Sequence, residues 1–380
     1  MHRLMQTKFI RKEGVNYMKL KSGFFTLTII VFMCMSVVFS DRIRLDFRTS
    51  LERCLFIVVP SLYIFMILSC MLVSSGTCRL LGIPFRKFSE NVLHIPSELF
   101  GIFVISLVGG YPTGAKLLCS MAENNQISYE DADKLSHICF CSGPAFICGV
   151  VGNALYGNVK IGIIVFVCIL LGNILSAIVT APFRNIRKSQ NCKTDLKICF
   201  NAEILTSSVY SSAKSVIDIC GITLAFSAFT LMISLTGITD KITGIISAIT
   251  GLNHEVSQSV ILSVFEISNI ATLPTSDYSL LPIICGLLSF GGICVLLQVS
   301  AISGGKLKIF PFLAVRFFSS LASSLFCLIT MKFFPQWFIV NAVAFKAFSS
   351  AGGSYVPSVA LLAMTYILLS SCKTEKITQS

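Results

Sequence analysis

Long uninterrupted apolar runs separated by short polar stretches dominate the chain. They lack the period-two alternation of barrel strands, and runs of about 20 apolar residues have the length of membrane-spanning helices. The pattern predicts spans at 22–40, 56–76, 97–120, 159–181, 216–236, 257–273, 309–332 and 355–372. Two further apolar stretches, 135–157 and 279–303, are broken midway by Cys141-Ser142-Gly143-Pro144 and Ser289-Phe290-Gly291-Gly292. Those breaks read as tips of re-entrant hairpins. The expected fold class is an all-α polytopic membrane protein with about eight transmembrane helices plus two re-entrant hairpins.

Within the run 97–120 lies Gly109-Gly110-Tyr111-Pro112-Thr113-Gly114-Ala115-Lys116. Three glycines and a proline in eight residues cannot continue an undisturbed helix, since proline lacks an amide donor and glycine adds backbone entropy. Unpaired peptide groups inside a bilayer are tolerated only where they face packed protein or a wet cavity. A ligand pocket satisfies that condition.

Composition agrees with the pattern: 54% of the 380 residues are apolar and 13% charged, with mean hydropathy +0.82. A soluble domain carries roughly 25% charged residues. Most of the 16 cysteines, Cys34, Cys70, Cys168, Cys220 and Cys327 among them, sit inside apolar runs as small soft core residues, and no CxxC pair occurs.

Charge sets the topology. Residues 1–21 hold six Lys or Arg against one acid, and the apolar run after them is long for a signal peptide and lacks a small-residue cleavage pattern. With the N-terminus inside, eighteen Lys and Arg fall on the inner segments 1–21, 79–98, 182–197, 303–308 and the tail. Eight fall outside: Arg42, Arg44, Arg48, Arg53, Lys134, Lys241, Lys332 and Lys346. The bias predicts that both termini are cytoplasmic. The stretch Arg42 to Arg53 runs against it, but Phe47, Leu51, Cys54 and Leu55 form one helical face, as in a segment lying flat with its arginines toward headgroups.

Aligning the runs that end at Gly76 and Gly237 reveals a repeat, with Pro60 opposite Gly221 and Phe65 opposite Phe226. Each half continues with an interrupted span, a broken apolar stretch and another span. Since one copy starts outside and the other inside, the repeat is inverted, an arrangement in which transporters place substrate near the bilayer midplane. The expected organisation is a basic N-terminus 1–21, a first helix 22–40, a first repeat 41–181, a basic linker 182–202, a second repeat 203–332, C-terminal helices 333–372 and a tail 373–380.

In the second half, Phe265-Glu266-Ile267-Ser268-Asn269 stands where the glycine-rich break stands in the first. An acid within an apolar span usually marks a pathway or relay, and Lys116 is the matching cation. Other chemistries find no support. In G-x-x-x-x-G-K-[ST] the lysine directly follows the last glycine, whereas Ala115 intervenes here, and no strand precedes it. His2, His94, His137 and His254 have no metal-ligand spacing, so no cofactor or metal is expected and no enzyme activity is indicated. The net charge of +12 sits in short loops beside helices and does not argue for nucleic acid.

Gly-Tyr-Pro-Thr-Gly-Ala-Lys at 110–116, Ser-Gly-Pro-Ala-Phe-Ile at 142–147 with Gly149 and Gly152 after it, and Leu-Leu-Ser-Phe-Gly-Gly at 287–292 followed by Gln298 are similar to motifs of the YlbJ-type sporulation integral membrane proteins. The resemblance covers roughly 20–372. It implies a nucleoside-recognition Gate domain in each repeat and a distant similarity to concentrative nucleoside transporters. It also implies a role in endospore formation, moving dipicolinic acid from the mother cell across the outer forespore membrane. The chain differs in its Glu-Ile-Ser-Asn-Ile stretch, where the resemblance leads one to expect a fuller polar run, and in its short tail after Pro357.

A planar aromatic dianion needs positive charge, peptide donors and a flat slot. On this reading Lys116 and the amides freed around Gly110, Pro112, Thr113, Gly114, Gly143, Pro144, Gly291 and Gly292 hold its carboxylates. Tyr111 and Phe146 flank its ring, and Ser142, Ser268, Asn269, Ser289 and Gln298 offer hydrogen bonds. Glu266 pairs with Lys116 when the site is empty or carries a proton during transport. The expected partners are thus a small anionic substrate and the lipid bilayer. Two alternatives remain, a nucleoside or nucleotide transporter or sensor and a non-transporting protein of the spore envelope.

Overall fold

The computed structural model describes residues 22–23, 25–184, 186, 202–274 and 278–338. The basic N-terminus, most of the linker 182–202, the span expected at 355–372 and the tail lie outside the described residues. All regular structure among the described residues is helical.

Helix α1 (Phe25–Val38) meets α2 (Ser40–Arg53) at 91°. From α2 the chain passes through a π-helical turn, Cys54–Val58, into α3 (Val59–Ser74). Pro60 stands in the first turn of α3, where its missing donor does least harm to a helical ladder. After a 3-10 turn (Thr77–Gly82) and α4 (Arg86–Asn91) comes α5 (Ser97–Gly109), and then α6 (Thr113–Glu123) resumes beyond the break. Next come α7 (Tyr129–Ser136), α8 (Pro144–Leu155) and the 21-residue α9 (Val159–Val179). The second half runs through α10 (Ala202–Leu235), α11 (Ile238–Thr250) and α12 (His254–Phe265). It ends in α13 (Leu281–Phe290), α14 (Gly292–Ile302) and α15 (Ile309–Phe333).

The polarity of α15 is inside out. Its buried positions include Arg316, Ser319 and Ser323, while Phe317, Leu321, Leu325 and Leu328 are all more than half exposed at helical spacing. Helix α9 repeats the pattern, burying Asn173 and Ser176 while Ile163, Val167 and Leu171 face outward. In water such an arrangement would be costly; in hydrocarbon, small and polar residues make the helix contacts and apolar ones meet lipid. The two helices approach so closely that a Cβ on Gly172 would collide with Ser323. Helix α15 also packs on α13, and α3 packs on α10 through Val59, Leu62, Met66, Ala213, Val216 and Ile219.

Among the described residues, four helices can cross a membrane by length and composition: Val159–Val179, Ala202–Leu235, Leu281–Ile302 and Ile309–Phe333, or five if the bent pair of α1 with α2 is one span. The chain is therefore an all-α membrane protein. Three of the expected spans, at 159–181, 216–236 and 309–332, fall within these helices. Those at 97–120 and 257–273 are divided at their breaks into short helices. The hairpin expected at 279–303 is corrected: residues 281–302 form one 22-residue apolar helix interrupted at Gly291. Gly291 and Gly292 take φ of +91° and +78°, which changes the path locally without turning the chain back.

Candidate functional site

The breaks of the two halves meet at a cavity of about 50 Å³. From the first half it is lined by Val58 and Leu62, by Gly110 and Tyr111 of the glycine-rich break, and by Gly143 and Phe146 at the start of α8. From the second half come Ile219 and Thr223 of α10, Glu266, Ile267 and Ser268 of the acidic break, and Val295 and Gln298 of α14.

The first break is set by Gly110, with φ +76° and ψ 157°, and by a cis Tyr111–Pro112 bond. A Cβ on Gly110 would press on Leu62 and on the Gly143 backbone, so glycine is what lets the two extended pieces touch. Thr113 closes the break by donating to the Gly109 carbonyl at 3.2 Å. Tyr111 stacks on Phe140, and the Ser142 hydroxyl lies 2.9 Å from the Tyr111 hydroxyl and 3.0 Å from the Leu288 carbonyl. With one proton on Ser142, all three are satisfied when it donates to Leu288 and the tyrosine donates to it.

Beneath this layer the fully buried Arg316 donates to the Phe140 carbonyl and Asn173 at 2.9 Å each and to the His137 carbonyl at 2.6 Å. Its guanidinium carbon lies 5.0 Å from the Phe140 ring centre. Arg316 thereby fixes the extended segment that leads to Gly143.

The second break is organised by Glu266. Its carboxylate accepts from the Ser268 amide at 3.0 Å and the Ser268 hydroxyl at 2.5 Å, forming the cap of the short turn Ile267–Thr272. Arg53 reaches across from α2. Its Nη1 donates to Asn269 Oδ1 at 2.9 Å and to the Ser268 hydroxyl at 3.4 Å, and lies 3.9 Å from Glu266. On the opposite wall Gln298 donates to the Thr223 hydroxyl at 3.0 Å.

Of the sequence-selected residues, Gly110, Tyr111, Gly143, Phe146, Glu266, Ser268 and Gln298 line the cavity. Ser142 and Asn269 stand one layer behind, and Gly291 supports the layer by lying against the Phe140 ring. Gly292 packs on the Val264 carbonyl. Pro112 and Pro144 open α6 and α8, and Gly114 allows α6 to press on the Cys139 carbonyl. Ser289 is engaged elsewhere, with Ser319 at 3.1 Å.

Lys116 is not among the lining residues. Its Nζ donates to the Ser211 carbonyl and the Ser215 hydroxyl of α10, so the expected Lys116–Glu266 pair is not formed, and the cation beside Glu266 is Arg53. The expectation that the arginines of α2 all face headgroups fails at Arg53 for the same reason: it is the α2 arginine nearest the cavity-lining turn at Val58 and points inward.

No family model matches the chain, and no solved structure matches it. The chain is 25% identical over 365 residues to the sporulation integral membrane protein YlbJ of Bacillus subtilis strain 168, covering 85% of this chain and 90% of that protein. A match over 85% of the chain takes in both breaks, not one motif alone. The chain is a homologue of the YlbJ-type sporulation integral membrane proteins.

Proposed function

We propose that the protein is a membrane carrier of endospore formation that moves dipicolinic acid from the mother cell across the outer forespore membrane. Its role in sporulation rests on the similarity to YlbJ. The carrier role rests on the cavity, where the broken helices of both halves line one pocket.

An inverted repeat of Gate-like units, 41–181 and 203–332, accounts for the symmetry of that cavity. The offset that places Gly76 on Gly237, both left-handed at φ +77° and +74°, also places Val58 on Ile219 and Leu62 on Thr223. All four of the latter line the cavity. The proposed topology has the N-terminus cytoplasmic, as the charge bias favours. With 281–302 as a crossing helix in place of a hairpin, and with 97–123 and 254–272 as broken spans, the eight expected spans become nine.

About 50 Å³ is room for one or two water-sized molecules, each taking ~30 Å³. An aromatic dicarboxylate enters only when the walls part, so the conformation is a closed one. Tyr111 and Phe146 offer apolar faces for a ring, and Ser268 and Gln298 offer hydrogen bonds. Lys116 acts at the closure, tying α6 of one half to α10 of the other.

The test is uptake of labelled pyridine-2,6-dicarboxylate by proteoliposomes holding the purified full-length chain, with and without a proton gradient. Uptake above that of empty liposomes, competed by unlabelled dipicolinate and not by uridine, is the expected result. No uptake, or competition by uridine, overturns the assignment.

A further inference from the structure

We infer that Arg53 receives a carboxylate of the transported anion and that Glu266 is the group the anion displaces. The inference rests on the carrier reading and names the specificity determinant of that site.

A dianion entering the cavity meets a carboxylate in its wall, and charge repulsion alone would expel it. A buried cation must therefore stand within reach. Three of the buried or half-buried cations are committed elsewhere. Arg316 is fixed by three hydrogen bonds, Lys116 is turned to α10, and Arg184 donates to the Ala177 carbonyl and the Thr180 hydroxyl. Arg53 alone among the described residues joins its guanidinium to residues of the cavity wall, Ser268 and Glu266.

Its bonding is that of a cation held in readiness. A charge-assisted arginine–carboxylate bond is about 2.7–2.9 Å long and is strongest when bidentate. Arg53 stands 3.9 Å from Glu266, outside hydrogen-bonding range, and makes its one short bond, at 2.9 Å, to a neutral amide oxygen of Asn269. Both of its hydrogen bonds come from Nη1. Glu266 is meanwhile satisfied locally by the amide and hydroxyl of Ser268, so it does not depend on Arg53 to stay buried. An incoming carboxylate gains a bidentate partner while displacing one contact that is not a hydrogen bond and two neutral acceptors.

The experiment measures thermal stabilisation of the purified full-length protein in detergent by four probes: pyridine-2,6-dicarboxylate, pyridine-2-carboxylate, benzoate and uridine. For Arg53→Gln, the concentration of carboxylate needed for half the wild-type shift should rise roughly 10- to 100-fold. Arg53→Lys should fall between, since it restores charge without the fork. Arg48→Gln, which removes an exposed α2 charge, should respond as wild type. Should Arg53→Gln fold poorly, Arg53→Lys gives the second test, because it keeps the buried charge but not the planar fork and should still weaken the carboxylate response.

A wild-type response to carboxylates that survives in Arg53→Gln overturns the inference, as does an undiminished response in Arg53→Lys. A wild type that answers to uridine alone, or to no probe, overturns both the inference and the carrier reading. A wild type that answers to benzoate or pyridine-2-carboxylate but not to pyridine-2,6-dicarboxylate, with the answer lost in Arg53→Gln, upholds Arg53 and overturns dipicolinate as substrate.

Discussion

Tyr111 and Phe140 stack with ring centroids 4.8 Å apart and planes 20° from parallel. One ring belongs to the first break and the other to the segment that Arg316 holds, so the stack joins the cavity wall to the packed interior. Gly291 of the second half closes on the far side of Phe140.

That closure predicts the cost of a single methyl group. In Gly291→Ala the Cβ would fall 2.7 Å from the Phe140 ring, at a φ of +91° that side chains rarely adopt. A loss of about 2 kcal/mol or more is expected, read as a lowered melting temperature in detergent. Gly221→Ala is the control: nothing lies within 4 Å, and alanine favours the α10 helix by up to about 1 kcal/mol. Equal effects at the two sites would refute the contact as the cause.

Both breaks were legible in the sequence because each carries a signal that lipid-facing helices lack. Gly109 to Lys116 concentrates glycine and proline, and Glu266 is an acid in an apolar run. Residues within or beside those signals, Tyr111, Gly143, Phe146 and Ser268, do line the cavity. Val58, Leu62, Ile219 and Val295 carry no such signal, since an apolar side chain facing a cavity is written like one facing lipid, and Thr223 carries none because a threonine in a helix can donate to the carbonyl one turn back, as it does to Ile219. Arg53 was misplaced because residues four apart cannot tell whether an amphipathic helix meets headgroups or a neighbouring break. The pair Gly291-Gly292 permits a reversal without requiring it, and the chain runs on through it as one 22-residue span. The use of Ser289 by Ser319 depends on how α13 meets α15, which no local pattern encodes.

Arg316 makes a second prediction. Its guanidinium satisfies the carbonyls of His137 and Phe140 and the side chain of Asn173 inside a fully buried site. Arg316→Ala leaves those acceptors unpaired, at about 1–3 kcal/mol each, so a total loss of about 3 kcal/mol or more is expected. Arg316→Lys should recover only part of it, because one ammonium cannot reproduce the planar fork. Full recovery of the melting temperature by lysine would show that charge alone matters there.

The bridge through Ser142 predicts non-additivity. Ser142→Ala strands the Tyr111 hydroxyl and the Leu288 carbonyl, costing about 1–3 kcal/mol. Tyr111→Phe removes one partner of the same bridge. The double variant should lose less than the two single losses added, by about 0.5 kcal/mol or more in a double-mutant cycle. Strict additivity in melting data would mean that the two hydroxyls do not cooperate.

The repeat makes the last prediction. Val58, at the end of the π-helical turn before α3, and Ile219 of α10 occupy matching positions of the two halves and face one cavity. Val58→Phe and Ile219→Phe each add bulk to a space of about 50 Å³ that must widen for substrate. Overpacking costs about 1–3 kcal/mol, a loss that a melting curve separates from a block in transport. Each variant should lower proteoliposome uptake of pyridine-2,6-dicarboxylate at least about tenfold, because a barrier raised by only ~1.4 kcal/mol slows passage by that factor. Phe317→Leu on the lipid-facing side of α15 should leave uptake unchanged. If filling the cavity from one half blocks uptake and filling it from the other does not, the two halves do not share a single pathway, and the inverted pair is an accident of packing.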